Sequence, residues 1–330
     1  MSFPKFHTVD LSKHSFLVTG GSGFIGSNIV GYLIQHNAGL VRVIDNLSTS
    51  KVDNLAPFRS LTNFEFLDKD ITDSDNCEKA CKGIDYVTHQ AALGSVPRSI
   101  KYPLATHANN ATGFLNMLNA ARLAEVKRFV YASSSSVYGD SPSLPKKEDE
   151  IGKPLSPYAV SKLTNELYAR VFANVYNMPV IGLRYFNVFG PNQSPEGMYA
   201  AVIPLFMHSL MKNESPLIDG DGEQTRDFTY VENAVQANIK ALFTDNNDAL
   251  NNIYNVAVGE RVTINQLFNI IAELTSSKVK PIHREPRAGD IRNSLADISK
   301  AKKLLGYEPQ VLVKEGLTRT MKWFNEKKQA

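Results

Sequence analysis

The chain has 330 residues, 43% apolar and 21% charged, the composition of an ordinary globular protein with a large core. Its formal net charge is only +3 and its basic residues are scattered, Lys146-Lys147 being too short a run to suggest nucleic acid or another polyanion. Met1 to His14 has no apolar leader, and no apolar run approaches the roughly eighteen residues that a bilayer requires, so a cytoplasmic protein without membrane contact is expected.

Ser15 to Thr19 reads as a buried parallel strand, and Ile25, Ile29 and Leu33 recur at the spacing of a helix's core face. Gly20, Gly23 and Gly26 lie between them. Such glycines permit a tight turn, let backbone N–H groups approach a pyrophosphate, and allow close helix-on-strand packing, while the helix N-terminus faces the anion. A second strand, Val41 to Ile44, ends in Asp45, nineteen residues after Gly26. That is near the spacing of a carboxylate that binds adenosine ribose hydroxyls, and a carboxylate there repels a 2'-phosphate, so NAD is expected rather than NADP.

After the polar loop Asn46 to Ser50, Phe64 to Leu67 reads as a third strand ending near Asp70-Ile71. Cys77 and Cys81, the only two cysteines, are four apart in a helical segment beginning near Asp73. A disulfide between helical positions i and i+4 is strained and a zinc site needs more ligands, so neither is given a role and no metal is expected. Ile84 to His89 is a fourth strand, followed by the small-residue loop Gln90 to Arg98. The spacing predicts a helix over 106–122 and a fifth strand over Arg128 to Ala132, which ends in Ser133-Ser134-Ser135-Ser136. This strand–helix alternation predicts a doubly wound parallel sheet with ligands at the carboxyl edge.

Pro154 and Pro157 suit the entry to a long helix that carries Tyr158 and Lys162. Four residues apart, they share a helix face. A tyrosine that acts as a base near neutral pH must have its pKa lowered from about 10 to about 7, roughly 4 kcal/mol, and a neighbouring ammonium or a positive nicotinamide ring supplies that stabilisation. Val180 to Pro191 is a sixth strand running into a loop that bears Asn187, Asp227 to Val231 begins a return, and Asn252 to Val256 is the last strand. Arg226 and Arg287 are candidate diphosphate ligands, because a guanidinium fork matches phosphate geometry; Trp323 reads as packing.

The G-x-x-G-x-x-G spacing of Gly20, Gly23 and Gly26, with Ser134 and Tyr158-Ala159-Val160-Ser161-Lys162, resembles the extended short-chain dehydrogenase/reductases of the nucleotide-sugar epimerase and dehydratase group, from about Phe16 to Phe324. The resemblance implies an α/β fold: a Rossmann-type doubly wound parallel sheet with a smaller α/β substrate lobe. An NAD-binding domain at 1–188, with a return segment at 227–258, and a UDP-sugar-binding domain at 189–226 and 259–330 are expected. It also implies Ser134, Tyr158 and Lys162 as catalytic residues. For NAD it implies Gly20, Gly23, Phe24, Ile25 and Gly26, then Asp45, Asn46, Thr49, Ser50, Asp70 and Ile71. Gln90, Ala91, Ala92, Asn110, Tyr185 and Val188 complete that set, with Tyr158 and Lys162. For substrate it implies Gly94, Ser95, Ser134, Ser135, Ser136 and Asn187, with Ala201, Val202, Arg226, Arg287, Asp290 and Ser294. The segment Tyr199 to Pro204 resembles the wall that receives a nucleotide, and the helices after Thr106 and Pro157 imply a homodimer.

Ser135-Ser136 decides among reactions, since the related dehydratases carry Asp-Glu there and the related decarboxylases keep a Glu where Ser136 stands. A C4 epimerisation of UDP-sugars through a 4-keto sugar is the leading expectation. Ser294 stands where UDP-galactose epimerases restricted to non-acetylated sugars carry a bulky Tyr, and the loop Gly94 to Ser99 resembles that of bacterial UDP-N-acetylglucosamine 4-epimerases of surface-polysaccharide synthesis, so the resemblance makes UDP-GlcNAc and UDP-GalNAc the expected pair. UDP-N-acetylhexosaminuronate and UDP-glucose/UDP-galactose are the alternatives, followed by an NAD-dependent dehydratase, decarboxylase or dehydrogenase. A non-catalytic NAD sensor has little reason to keep Ser134, Tyr158 and Lys162 together.

Overall fold

The computed structural model describes residues 2–49, 52–195, 201–286 and 292–329. Strands β1 (Ser15–Thr19), β2 (Leu40–Asp45), β3 (Phe64–Asp68), β4 (Tyr86–His89), β5 (Arg128–Ser134), β6 (Val180–Tyr185) and the edge strand Ile253–Val256 form one parallel sheet of seven. Their order across the sheet is β3, β2, β1, β4, β5, β6 and then Ile253–Val256. Connections run in opposite directions from β1 and β4, which opens a crevice at the carboxyl edge between them.

The inner strands are mainly apolar because both of their faces are covered, whereas the edge strand β3 leaves Glu65 and Asp68 exposed. In β1, Phe16 and Val18 pack on one face with Ile29 and Leu33 of the Phe24–Gln35 helix and Val235 and Leu242 of the Val231–Phe243 helix. Leu17 packs on the other, with Phe114 and Leu118 of the Gly113–Leu123 helix and Phe172 of the Pro157–Tyr176 helix. β5 divides in the same way, Val130 to the first layer and Phe129 and Tyr131 to the second. The expected α/β fold is therefore present. A further core holds the Val202–Met211, Ile264–Thr275 and Val313–Gln329 helices together through Phe206, Met207, Leu267, Ile271 and Leu317.

Two elements differ from their sequence pattern. The fourth strand starts at Tyr86, because Gly83 at φ +72 and the Ile84 N–H bond to the Cys81 carbonyl complete a turn first. The helix expected over 106–122 is interrupted by a π-helical turn, Ala108–Thr112. Within it the buried Asn110 accepts from the Leu93 N–H at 2.7 Å and donates to the Leu93 carbonyl at 3.2 Å and to Ser161 Oγ at 3.2 Å. One amide thus ties the loop after β4 to the Pro157–Tyr176 helix. Cys77 and Cys81 are free and buried, and burial raises both thiols, to about 12 for Cys81. Among the described residues no helix is long and apolar enough to cross a membrane.

Candidate active site

The end of β1 turns sharply at Gly20, whose φ of +64 lies in the left-handed region and whose N–H bonds the Ile44 carbonyl at 2.8 Å. A Cβ there would lie 2.7 Å from Ala91 Cα, and a Cβ on Gly26 only 2.2 Å from the Gly20 carbonyl oxygen. Contact this close requires glycine at both places. Gly23 then starts the Phe24–Gln35 helix without a side-chain cap, so its first N–H groups remain for an anion.

This turn opens into a cleft of about 1140 Å³ along the carboxyl edge. Gly20, Gly23, Phe24, Ile25 and Gly26 form one wall. Asp45, Asn46, Thr49 and Ile71 continue it. Asp45 accepts from the Ser22 N–H at 3.0 Å and the Leu47 N–H at 2.8 Å, which fixes the carboxylate at the end of β2. Asp70 stands behind that wall, holding Asn46 Nδ2 at 2.8 Å and the Thr72 N–H at 2.8 Å.

Gln90, Ala91, Ala92, Tyr185 and Val188 line the middle of the cleft. Tyr185 OH donates to Gln90 Oε1 at 3.0 Å and accepts from Asn238 Nδ2 at 2.7 Å, a network that orients both side chains. Thr19 Oγ1 accepts from the Gln90 and Ala91 N–H groups, 3.1 Å each, and meets His89 Nδ1 at 3.0 Å. With both backbone donors on its oxygen, the threonine donates its proton to His89, which is neutral: burial, then repulsion from Lys162, lower its pKa to about 3.

Ser134, Tyr158 and Lys162 meet on the cleft floor. The Ser156 side chain caps the Pro157–Tyr176 helix through the Ala159 N–H at 3.1 Å, and this sets Tyr158 in the first turn facing the end of β5. Lys162 Nζ lies 6.0 Å from the Tyr158 ring centre and donates to the Ala132 carbonyl at 2.8 Å. Burial lowers its pKa to about 8, with Glu166 acting oppositely. Burial raises the Tyr158 phenol, while its hydrogen bond with Ser134 works the other way. Ser134 Oγ also accepts from the Ser136 N–H at 3.1 Å. The depression that a phenolate base needs therefore depends on positive charge beside the ring.

Beneath the floor, Arg184 Nε and Nη2 each bond Glu166 at 2.8 Å, and Ser133 Oγ donates to Glu166 Oε1 at 2.5 Å. The pair is almost wholly buried, at 3% and 4% exposure, and locks the Pro157–Tyr176 helix against β5 and β6.

On the far side, Gly94, Ser95, Asn187 and Ala201 line the cleft. Ser95 is at φ +92, a conformation serine rarely adopts, while the Gly94 Cβ position is open. Asn187 Nδ2 donates to the Asp227 carbonyl at 3.0 Å. Asp227 itself is wholly buried and accepts from Val258, Gly259 and Ala296, burial raising its pKa to about 6.

Some expected residues are not on the wall. Asn110 is buried behind Leu93, Ser135 and Ser136 belong to the adjoining turn, and Val202 follows the wall residue Ala201. Arg226 and Ser294 lie on neighbouring segments, Ser294 N–H bonding the Thr225 carbonyl at 3.1 Å, outside the described cleft wall. Ser50, Arg287 and Asp290, and Tyr199 of the expected nucleotide wall, fall outside the described residues.

Sequence reasoning missed other wall residues: Lys69 and Arg98, and Asn192 and Gln193 of the loop after β6. Asn192 Nδ2 bonds Ser27 Oγ at 3.0 Å, and Asn28 Nδ2 bonds the Pro191 carbonyl at 3.0 Å, contacts no periodicity announces. Trp323 must be corrected: with Phe324 and Lys327 it lines the cleft.

A glycine turn, a carboxylate at the end of β2 and a Ser134–Tyr158–Lys162 floor thus meet in one cleft on a Rossmann-type sheet. Residues 16–257 match the NAD dependent epimerase/dehydratase family, and the chain belongs to it. A Methanobrevibacter ruminantium UDP-N-acetylglucosamine 4-epimerase, solved with UDP-N-acetylmuramic acid, is 43% identical, with TM-score 0.89, over 95% of this chain and 99% of that one. The Thermotoga maritima UDP-glucose 4-epimerase, solved with UDP-glucose, is 38% identical with TM-score 0.89, covering 95% and 99%. A UDP-glucuronate 4-epimerase of Thermodesulfobacterium geofontis is 35% identical over 94% of this chain and 96% of its own.

The cleft fits NAD, the family's cofactor, because the turn at Gly20 and Gly26 leaves no room for a side chain and the uncapped helix start offers N–H donors. Gly26→Ala is expected to weaken NAD binding at least tenfold and to cost about 1–3 kcal/mol of stability through overpacking. Calorimetric titration and urea melts measure both; unchanged affinity would contradict the close approach drawn at Gly20.

Proposed function

We propose that the chain interconverts the C4 epimers UDP-GlcNAc and UDP-GalNAc through a transient 4-keto sugar. The observation that carries this reading is the meeting of Ser134, Tyr158 and Lys162 on the floor of the glycine-turn cleft, with serines at the two following positions. In this reading Tyr158, as phenolate, takes the proton of the C4 hydroxyl while Ser134 donates a hydrogen bond to the same oxygen. Lys162 holds the phenolate and the nicotinamide ribose. NAD, when bound, supplies a reversible hydride acceptor for C4. The keto sugar then turns its other face and recovers the same hydride, Tyr158 returning the proton, so atoms and electrons balance over the cycle. Ser135 and Ser136 carry no second acid or base for elimination or decarboxylation.

Residues 1–188 with 227–258 serve the cofactor in this proposal, and 189–226 with 259–330 serve the UDP-sugar. Arg226, Arg287 and Asp290 grip the nucleotide, and the open space at Gly94 receives the acetamido group. Support for the sugar comes from the M. ruminantium relative, which is a UDP-N-acetylglucosamine epimerase. A preference of about ten- to two-hundredfold over UDP-Glc and UDP-Gal is expected, the discrimination available from one small group. Incubation with each UDP-sugar, followed by NMR of the anomeric and H4 signals, tests it; faster turnover of UDP-Glc or of a UDP-hexosaminuronate would transfer the assignment to that sugar.

Ser294→Tyr is expected to suppress the acetylated substrates while sparing UDP-Glc. If both classes fall together, or neither does, the gate lies elsewhere.

A cytoplasmic homodimer completes the proposal. Val160, Leu167, Val171 and Val175 form an exposed apolar stripe on the Pro157–Tyr176 helix, and Ile100, Leu104 and Leu123 are exposed on the neighbouring helices. Such a patch is the mark of an interface. Sedimentation equilibrium at micromolar concentration should give twice the chain mass, and a monomer would refute it.

A further inference from the structure

The Val313–Gln329 helix is pinned at Gly316, where a Cβ would lie 2.8 Å from the Phe189 ring and 2.9 Å from Tyr230 Cβ. Arg319 adds ion pairs to Glu232 at 3.1 Å and Glu315 at 2.6 Å. From that anchor, Trp323 and Lys327, four residues apart, project from one helix face into the cofactor cleft. Lys327 Nζ lies 4.9 Å above the Trp323 ring, an attraction that holds the ammonium at the cleft's edge. Phe324 packs against the same apolar cluster as Phe24, the first residue after the glycine turn. The end of the C-terminal helix therefore stands close to the helix start that offers free N–H groups to an anion. Of the other basic residues in the described lining, Lys162 on the floor donates to the Ala132 carbonyl, and Lys69 and Arg98 belong to other stretches of the wall.

We propose that Lys327 and Trp323 form a second wall of the cofactor site, with the Lys327 ammonium against the dinucleotide's diphosphate and the Trp323 indole shielding that contact from water. Lys327 is then a binding residue for NAD and has no part in the chemistry at C4. The inference rests on the assignment of NAD to this cleft. The diphosphate of a UDP-sugar is the other anion of the same chemistry, and the test separates the two.

Full-length wild type, Lys327→Ala, Lys327→Arg and Trp323→Leu, each freed of bound cofactor and checked for an unchanged melting temperature, would be titrated with NAD and separately with UDP. Lys327→Ala should bind NAD about tenfold more weakly, as for loss of one charge-assisted contact near solvent, and with a shallower salt dependence. Lys327→Arg should stay within about threefold of wild type, Trp323→Leu should weaken NAD, and UDP affinity should be unchanged throughout. NAD affinity of Lys327→Ala within twofold of wild type, or a loss confined to UDP, would overturn the proposal. Wild type that binds no NAD would sink the cofactor assignment itself, and this inference with it.

Discussion

Tyr158→Phe is expected to lower turnover of the UDP-sugar by at least about a hundredfold while leaving folding and NAD affinity nearly intact, the loss typical of removing a general base. Only a hydroxyl is removed, and the ring keeps its place between the end of β5 and Lys162. In the free chain burial disfavours the phenolate and the Ser134 hydrogen bond offsets only part of that. Lys162 sits close enough to stabilise the anion, at 6.0 Å from the ring centre, and the positive nicotinamide adds to it when bound. A phenylalanine can use neither charge. Steady-state kinetics with a matched cofactor titration check the result; near-normal turnover would remove Tyr158 from the chemistry.

Glu166→Ala is expected to cost about 3–5 kcal/mol of stability, because it leaves the Arg184 guanidinium buried without its counter-ion. Burial works against charge on Arg184, and the two-fold hydrogen bond to Glu166 more than offsets it, raising its pKa above the usual arginine value. After the substitution the Glu148 carbonyl, at 2.8 Å, still accepts from it and the Tyr138 side chain stays beside it, but neither carries a compensating charge. Ser133 Oγ loses its acceptor at the same time, next to Ser134, so activity should fall as well. The double variant Glu166→Leu/Arg184→Met removes both charges and should recover most of the stability. Urea melts decide: a single-variant loss below about 1 kcal/mol would show that the pair is not holding the helix to the sheet.

The sheet was legible because burial on both faces makes an inner strand a short apolar run, as in Phe16-Leu17-Val18, and because the glycines after β1 and the serines at the end of β5 mark carboxyl ends. Asp45 and the Tyr158/Lys162 pair were legible as candidates because the roles proposed for them impose fixed spacings in the chain. Contacts made only by the fold were not. The resemblance names Asn110 as a cofactor residue, but nothing in its helical pattern announces its bonds to Leu93, seventeen positions away, or the π-helical turn that holds it. Asn192 touches Ser27 across 165 residues, and Trp323 reaches the cleft because Gly316 lets its helix approach Phe189. Helical periodicity distinguishes a buried face from an exposed one, but not a face against core from a face against a ligand.

The most direct test follows one atom. UDP-N-acetylglucosamine carrying deuterium at C4 alone, incubated with the enzyme in protonated water, should give UDP-N-acetylgalactosamine that keeps its deuterium at C4, with no growing absorbance at the reduced-nicotinamide band. Replacement of that deuterium by solvent hydrogen, or one reduced cofactor released per turnover, would contradict a hydride taken from C4 and returned to it.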